Sequence, residues 1–289
     1  GIRADGTRLT LSSVPARVDG GAMPLGADDV IVASGGGRGV TAATMVELAR
    51  ATRARFVLLG RSPLDPEPAV CAGAADDVAL KRALLDDATA HGRTVTPAEL
   101  GRQVRAILAN REIRQTLEQI EAAGGQVRYL AVDVTDADAV AQALQRVRQE
   151  VGPITGVVHG AGVLADRRIV DKTDAQFDTV FRTKVQGLRS LLAATAADEL
   201  RLLCVFSSVA ARTGNEGQAD YAMANEVLNK VAVAERTRRG PGCIVKSFAW
   251  GPWSGGMVDD ALAQRFRSMG VALLPLDVGA AMFVAEIAS

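Results

Sequence analysis

Six short apolar runs, separated by residues with helical periodicity, constrain the fold of this 289-residue chain more than any other feature. The runs are Val30–Ser34, Phe56–Gly60, Val127–Val132, Gly156–His159, Leu202–Phe206 and Ile244–Phe248. Buried strands that alternate with helices form parallel sheets, and right-handed crossovers place the helices on both faces. The sequence therefore predicts an α/β fold with a doubly wound parallel sheet of the Rossmann-like type.

One stretch of the chain interrupts this alternation. Residues 63–123 are longer than a single crossover helix requires, and within them Thr96, Pro97 and Glu99 form a capping box with proline at the first helical position. Two apolar stripes at helical spacing follow, so we expect a helical insert beside the sheet. Residues 1–29, rich in Gly, Pro, Asp and Ser, are predicted to be a leader or linker, and residues 30–289 a single Rossmann domain.

The composition excludes several classes of function. A formal net charge of zero and an aromatic content of 4% disfavour a nucleic-acid partner or a membrane surface. No run approaches the roughly 20 apolar residues that span a bilayer. Three cysteines, Cys71, Cys204 and Cys243, lie far apart and without metal-ligand spacing. We expect a cytoplasmic protein that holds no metal.

A glycine-rich turn follows the first predicted strand and precedes a helix. Without β-carbons, its backbone can approach a pyrophosphate, and the helix N-terminus supplies free N–H groups and the positive end of a dipole. A merely flexible loop would not explain the regular elements on either side. The residues expected to contact a dinucleotide here are Ser34, Gly35, Gly37, Arg38, Gly39 and Val40.

The end of the second strand favours NADPH over NADH. An NAD site usually places a carboxylate there, whereas this chain has Arg61 and Ser62, with no carboxylate before Asp65. Arg61, together with Arg38, can bind a 2′-phosphate through charge-assisted hydrogen bonds; the alternative is that both arginines are simply solvated. Asp133 and Val134 follow the third strand, where an adenine amine would lie.

The second half of the chain carries residues suited to carbonyl chemistry. Lys184 lies on the apolar stripe of a predicted helix, Thr173–Ala196, so either it snorkels to solvent or its ammonium enters the crevice of the sheet. Ser208 follows the fifth strand, and Tyr221 and Asn225 are one helical turn apart. All four map to the carboxyl ends of the strands.

These residue types fit the reduction of a ketone. Hydride transfer creates negative charge on oxygen, which must be stabilised and protonated. The phenol of Tyr221 has an ordinary pKa of about 10, and a nearby ammonium is expected to lower it. Ser208 can donate a hydrogen bond to the same oxygen, while Asn225 can position the lysine or a water.

Together these motifs resemble the ketoreductase domain of type I polyketide synthases and polyunsaturated fatty acid synthases, a branch of the short-chain dehydrogenase/reductase superfamily. In that branch lysine and asparagine exchange places, as Lys184 and Asn225 do here. The resemblance runs from about residue 28 to the C-terminus. It also rests on His159-Gly160-Ala161-Gly162-Val163, Phe206-Ser207-Ser208 and Trp250-Gly251-Pro252-Trp253. It adds Gly160, Ala161, Gly162, Trp250 and Gly251 to the expected cofactor contacts.

The resemblance implies NADPH-dependent reduction of a β-ketoacyl thioester on an acyl carrier protein, beside other domains of a multidomain synthase. It assigns proton donation to Tyr221, the oxyanion contact to Ser208, the pKa-lowering charge to Lys184 and positioning to Asn225. It further implies that the chain is an excised fragment that lacks one more strand after Ser289. Two alternatives are a non-catalytic NADP-binding scaffold domain and a free-standing reductase of small ketones.

Some positions depart from the family pattern. Thr41 stands where many relatives have a last glycine, and only Asp166 remains of the Leu-Asp-Asp motif associated with D-hydroxy products. Thr213 replaces the Trp of the opposite stereochemical class, so the expected product is D (3R). Residues 254–274, with Met257, Phe266 and Met269, are predicted to form a substrate lid; the alternative is an amphipathic surface helix.

Overall fold

The computed structural model describes residues 3–8, 14–16, 18, 20–256 and 260–289. Within them, six parallel strands form one sheet in the order β3-β2-β1-β4-β5-β6. The strands are β1 Val30–Ser34, β2 Arg55–Gly60, β3 Gln126–Ala131, β4 Gly156–His159, β5 Leu202–Ser208 and β6 Ile244–Trp250. The predicted doubly wound parallel sheet is confirmed, and each strand lies within two residues of its predicted ends.

Helices cover both faces of this sheet. Those in the described residues are α1 Gly39–Thr52, α2 Asp77–Ala90, α3 Pro97–Ala122, α4 Ala137–Glu150, α5 Asp174–Phe181, α6 Gly187–Ala194, α7 Ala210–Thr213, α8 Ala219–Arg239, α9 Asp260–Ser268 and α10 Leu276–Ile287. The predicted helix Thr173–Ala196 is divided into α5 and α6 by a wider π turn, Arg182–Gln186. The apolar stripe in the sequence does not indicate this turn.

Alternate residues of the strands pack into two hydrophobic cores, one on each face of the sheet. Val30 and Val32 of β1 belong to one core, and Ile31 and Ala33 belong to the other. All four side chains are completely buried, because helices cover both faces of a parallel sheet. A large buried apolar side chain stabilises the fold by about 1.5–3 kcal/mol.

The insert packs against the domain as a helical pair. Thr96 and Glu99 form the predicted capping box at the start of α3. The two predicted stripes belong to this one 26-residue helix, whose end reaches the core through Ile120. α2, which was not predicted individually, packs on α3 through a small cluster that contains Leu80 and Val104.

Part of the predicted leader packs on the domain. The Gly21 N–H donates to the Ala288 carbonyl at 2.7 Å, and Arg201 forms an ion pair with the buried Asp29 at 2.8 Å. Leu25 is buried against the same core as Ile31. The end of the predicted leader, from Gly21 to Asp29, thus contacts the domain, and residues 1, 2, 9–13, 17 and 19 lie outside the described part of the chain.

Candidate active site

A cleft of about 650 Å³ opens at the carboxyl ends of the strands, where the strand order reverses between β1 and β4. Ligands of open α/β sheets bind at such switch points. The predicted site residues that line it are Gly35, Gly37, Arg38, Gly39, Val40, Arg61, Ser62, Asp133, Val134, Gly160, Ala161, Gly162, Lys184, Ser208, Tyr221, Trp250 and Gly251. Ser34 and Asn225 are fully buried behind its walls.

The glycine turn exposes bare backbone to the cleft. Gly35 has a φ of 72°, and a β-carbon there would lie 2.8 Å from the Ala161 nitrogen. At Gly160 a β-carbon would lie 2.2 Å from Oγ1 of Thr41, which explains how Thr41 is accommodated in place of a glycine. α1 begins without a side-chain cap from Arg38, so the N–H groups that follow Gly39 in its first turn can face an anion.

Two arginines face the cleft at this end. Arg38 and Arg61 are exposed, and neither forms a salt bridge in the described part of the chain. Nearby, one carboxylate oxygen of Asp133 accepts hydrogen bonds from the N–H and hydroxyl of Thr135, at 2.9 and 2.8 Å. The arrangement supplies unpaired positive charge at the end of β2, where an NAD site has a carboxylate.

The insert helix α3 contributes residues that the sequence did not predict. The Thr116 hydroxyl donates to the Gly37 carbonyl at 3.0 Å, and Oε1 of Glu112 accepts the Gly39 N–H at 2.9 Å. Glu112 and Ile113 line the cleft. Their apolar stripe predicted only a helix, because the stripe does not show where that helix docks.

Lys184 lies on the opposite wall, at the centre of the π turn. Its side chain is 3% exposed, and its ammonium donates to the Phe206 carbonyl at 2.9 Å. The ammonium lies 5.4 Å from the ring centroid of Tyr221. The charge therefore enters the crevice, and the snorkelling alternative is wrong. Burial lowers the pKa of Lys184 from 10.5 to about 8.

Tyr221 and Asn225 lie one turn apart on α8. The Asn225 side-chain amide donates to the Tyr221 carbonyl at 2.8 Å, and the Ser207 hydroxyl donates to the Asn225 carbonyl at 3.1 Å. The side-chain oxygen of Asn225 is buried without a hydrogen-bond partner in the described residues. Asn225 thus holds the backbone of the tyrosine, whereas Phe206 receives the bond from Lys184.

The pKa of the Tyr221 phenol is raised, contrary to the expectation that a nearby ammonium lowers it. Burial is the largest cause and raises the pKa, whereas hydrogen bonding to Asn225 and Ser208 lowers it. The desolvation penalty on the phenolate outweighs these hydrogen bonds. The tyrosine therefore keeps its proton at neutral pH.

A buried histidine without a predicted role connects the two walls of the cleft. His159 Nδ1 lies 2.7 Å from the Ser34 hydroxyl, and Nε2 lies 2.9 Å from the Lys184 carbonyl. The ring is fully buried. Burial, and then the charge of Lys184, lowers the pKa of His159 to about 3, so its ring is neutral at physiological pH.

Described residues of the segment predicted to be a lid line the cleft. Ser254 donates its N–H to the Leu274 carbonyl at 2.8 Å, which ties the two ends of residues 254–274 together. Phe266 and Met269 line the cleft, whereas Met257 lies outside the described residues. On the inner side, the indole rings of Trp250 and Trp253 meet edge to face with centroids 4.9 Å apart.

Two further classes of site are not found in the described residues. They contain no group of three or more His, Cys, Asp or Glu side chains that could hold a metal ion. None of the described helices combines the length and the apolar character that a bilayer span needs.

The KR domain family matches residues 30–255, which contain the glycine turn, the lysine, the serine and the tyrosine. The chain belongs to this family of ketoreductase domains. These domains are oxidoreductases of the short-chain dehydrogenase/reductase superfamily, so the resemblance inferred from the motifs is confirmed.

The relatives of this ketoreductase domain are much longer synthases. It is 39% identical over 288 residues to a polyunsaturated fatty acid synthase chain of Thraustochytrium sp., covering 97% of this chain and 10% of that protein. It is 36% identical over 166 residues to erythronolide synthase EryA2 of Saccharopolyspora erythraea, covering 57% of this chain and 4% of that protein. The chain thus spans a tenth or less of these synthases.

Solved structures of ketoreductases share the fold. The A-type ketoreductases from a modular polyketide synthase are 26% identical, with a TM-score of 0.71, over 100% of this chain and 52% of that one. The ketoreductase from the first module of phoslactomycin biosynthesis in Streptomyces sp. HK803 is 27% identical, with a TM-score of 0.69, over 95% and 52%.

Proposed function

We propose that this domain reduces a β-ketoacyl thioester, carried by an acyl carrier protein, to a β-hydroxyacyl thioester with NADPH. One observation carries the proposal. The phenol of Tyr221, the hydroxyl of Ser208 and the ammonium of Lys184 meet on one wall of a cleft whose other end is a glycine turn with unpaired arginines. Family membership supports the reaction type, and the synthase relatives support the carrier-bound substrate.

The residues of the cofactor end fit a phosphorylated dinucleotide. Gly35 and Gly37 line the cleft where its pyrophosphate would lie. Both pack closely on their neighbours, since a β-carbon at Gly35 would meet backbone and one at Gly37 would lie 3.2 Å from Ile113 and Tyr129. Arg38 and Arg61 would hold the 2′-phosphate, and Asp133 would accept the adenine amine. When bound, NADPH supplies the hydride that reduces the carbonyl.

The reaction end is arranged to protonate the carbonyl oxygen. Ser208 donates a hydrogen bond to that oxygen as negative charge develops on it. Tyr221, whose raised pKa keeps the phenol protonated, transfers its proton to the same oxygen. The ammonium of Lys184, charged below pH about 8, stabilises the phenolate that remains. Asn225 fixes the first turn of α8 and thereby the phenol.

The D (3R) product is part of the proposal. Asp166 accepts a hydrogen bond from the buried Gln218 amide at 2.9 Å, three residues before Tyr221, and Leu164 lines the cleft. This contact joins the remaining acidic residue of the stereochemical motif to the entry of the catalytic helix. A carbonyl that enters along this wall would present one face to the cofactor.

The relatives of the domain support a place beside other synthase domains, and its cysteines support a cytoplasmic location. As the relatives are multidomain synthases, we place this domain beside other synthase domains that deliver and remove the carrier-bound chain. Residues 30–289 would form the catalytic unit, with residues 254–274 closing over the substrate. The cysteines Cys71, Cys204 and Cys243 are buried and unpaired, which fits the cytoplasm.

The decisive experiment follows NADPH oxidation with a β-ketoacyl thioester mimic, with the same acyl group on a carrier protein, and with free small ketones. We expect turnover of the thioesters, preference for the carrier-bound form and a (3R)-hydroxy product by chiral analysis. Cofactor binding without turnover would identify a scaffold domain. Equal turnover of free ketones and carrier-bound substrate would identify a free-standing type of reductase.

A further inference from the structure

His159 joins two strands and a helix behind the cleft. It is the last residue of β4, and the sheet register places it beside Ser34, the last residue of β1. Its ring reaches past the strand ends to the π turn that carries Lys184. Gly187 makes room for it, because a β-carbon at that position would lie 3.1 Å from Cε1 of the ring.

The two hydrogen bonds of the ring fix its tautomer. The Lys184 carbonyl can only accept, so Nε2 of His159 must carry the proton and donate to it at 2.9 Å. Nδ1 is then unprotonated and accepts the hydroxyl proton of Ser34 at 2.7 Å. The ring, the serine and the lysine backbone are all buried, so water does not compete for these bonds.

The bonded carbonyl belongs to the residue whose charge faces the tyrosine. A π turn interrupts the regular helical ladder, and such turns are common at functional sites. Here the Gly187 N–H is shared between the Arg182 and Lys184 carbonyls, which is the irregular pairing that the turn imposes. The histidine N–H adds a fixed donor to the Lys184 carbonyl. The backbone of the lysine is thereby held while its side chain extends to the Phe206 carbonyl.

We propose that His159, oriented by Ser34, is a positioning residue that sets the Lys184 ammonium against Tyr221 by holding the Lys184 carbonyl. It does not touch substrate or cofactor, and it acts through the lysine. This inference rests on the proposed reduction, because positioning matters only if Lys184 assists Tyr221. It goes further by giving a function to a buried histidine and to the π turn.

Substitutions of His159 that keep or remove its N–H donor test whether the hydrogen bond to the Lys184 carbonyl affects kcat. His159→Gln retains a side-chain N–H that can reach the Lys184 carbonyl, whereas His159→Leu does not. With saturating NADPH, we expect kcat to fall about tenfold to a hundredfold in His159→Leu and much less in His159→Gln, because small misplacements of catalytic groups have effects of this size. The Kd for NADPH, measured by fluorescence, should stay unchanged in both.

The pH profile separates positioning from general destabilisation. In His159→Leu the fall in kcat that accompanies loss of the Lys184 proton should shift or disappear, whereas a merely structural effect would leave its pH unchanged. Ser34→Ala is a smaller change, and it should lower kcat and shift the pH profile in the same direction as His159→Leu. Equal kcat in the Leu and Gln variants, or wild-type kcat and pH profile in a folded His159→Leu protein, would overturn the proposal.

The tautomer can be measured without any activity. The chain has two histidines, and His91 is exposed in the insert, so ¹⁵N spectra of the wild type and of His91→Asn assign both. We expect His159 to remain the neutral Nε2–H tautomer from about pH 5 to 8. An Nδ1–H tautomer would contradict the bond to Lys184. If the enzyme turns over no substrate, the proposed function fails, while this spectrum still decides the contact.

Discussion

The two ends of the cleft are formed by different kinds of chemical group, which also differ in burial. The cofactor end consists of glycines, helix N–H groups and exposed guanidinium groups, and it needs little more than backbone geometry and surface charge. The reaction end consists of side chains buried by several elements, and burial shifts the pKa of Lys184, His159 and Tyr221. From this difference we expect that substitutions at the cofactor end change affinity, whereas those at the reaction end change rate.

Among variants that keep the proton donor Tyr221, the largest effect should follow Lys184→Met, which removes the charge and keeps most of the side-chain volume. We expect kcat to fall about 100- to 1000-fold with little change in the Kd for NADPH, because the phenolate loses its stabilising charge. In the wild type, kcat should fall as the pH rises through about 8, where Lys184 loses its proton, and the variant should lack this fall.

Lys230→Met is the matched control, because Lys230 is an exposed lysine on α8. It should keep wild-type kcat and the wild-type pH profile. A Lys184→Met enzyme with kcat near that of the control would remove Lys184 from the mechanism.

Arg61→Gln tests the other end of the cleft. We expect the Kd for NADPH to rise about 10- to 150-fold and that for NADH to change little, because a charge-assisted bond to the 2′-phosphate contributes about 1.5–3 kcal/mol. At saturating NADPH, kcat should remain close to wild type.

Arg102→Gln serves as the control for overall charge, because Arg102 is an exposed arginine of α3 that does not line the cleft. If Arg61→Gln weakens NADPH and NADH equally, Arg61 does not recognise the 2′-phosphate. A large loss of kcat at saturating cofactor would instead show that the cofactor end also affects the rate, contrary to the expected division between affinity and rate.

The reaction end should also lower the stability of the fold. Because burial lowers the pKa of Lys184 from 10.5 to about 8, the unfolded chain binds more protons between these values, and wild-type stability should rise with pH there. At pH 7 the buried charge is unfavourable, so Lys184→Met should raise the free energy of unfolding by about 1–3 kcal/mol. Urea unfolding of both proteins from pH 6 to 10 tests this, and a less stable variant at pH 7 would contradict it.

The smallest effect concerns the contact between the insert and the glycine turn. Glu112 accepts the Gly39 N–H, at the helix end proposed to face the pyrophosphate, and its carboxylate would repel those phosphates. Glu112→Gln should therefore tighten NADPH binding by about two- to fivefold at low salt, and less at high salt. Glu118→Gln, an exposed change on the same helix, should have no effect. Weaker binding in Glu112→Gln would show that the contact supports the turn.

The same difference explains what the sequence could predict. The glycine turn is a local signal, and a strand, a turn and a helix in succession place it correctly. The alternation of strands and helices likewise predicted the sheet, and the capping box predicted the start of α3 at Pro97. Both depend on residues that are close together in the chain.

The remaining features depend on tertiary packing. The π turn at Lys184 leaves the apolar stripe intact, and the contact of His159 with that turn joins residues 25 positions apart. The docking of Glu112 on Gly39 spans 73 positions. The direction of the Tyr221 pKa was wrong because the sequence showed a possible ammonium and did not show how completely the phenol is desolvated.

The central claim is that Tyr221 gives its proton to a carrier-bound carbonyl. The direct measurement is the single-turnover rate of a β-ketoacyl carrier protein with prebound NADPH, in wild type and in Tyr221→Phe. We predict a rate that is about 10²- to 10⁴-fold lower in the variant with an unchanged Kd for NADPH, because only the proton donor is lost. A variant that forms the hydroxyacyl product at the wild-type rate would contradict the claim.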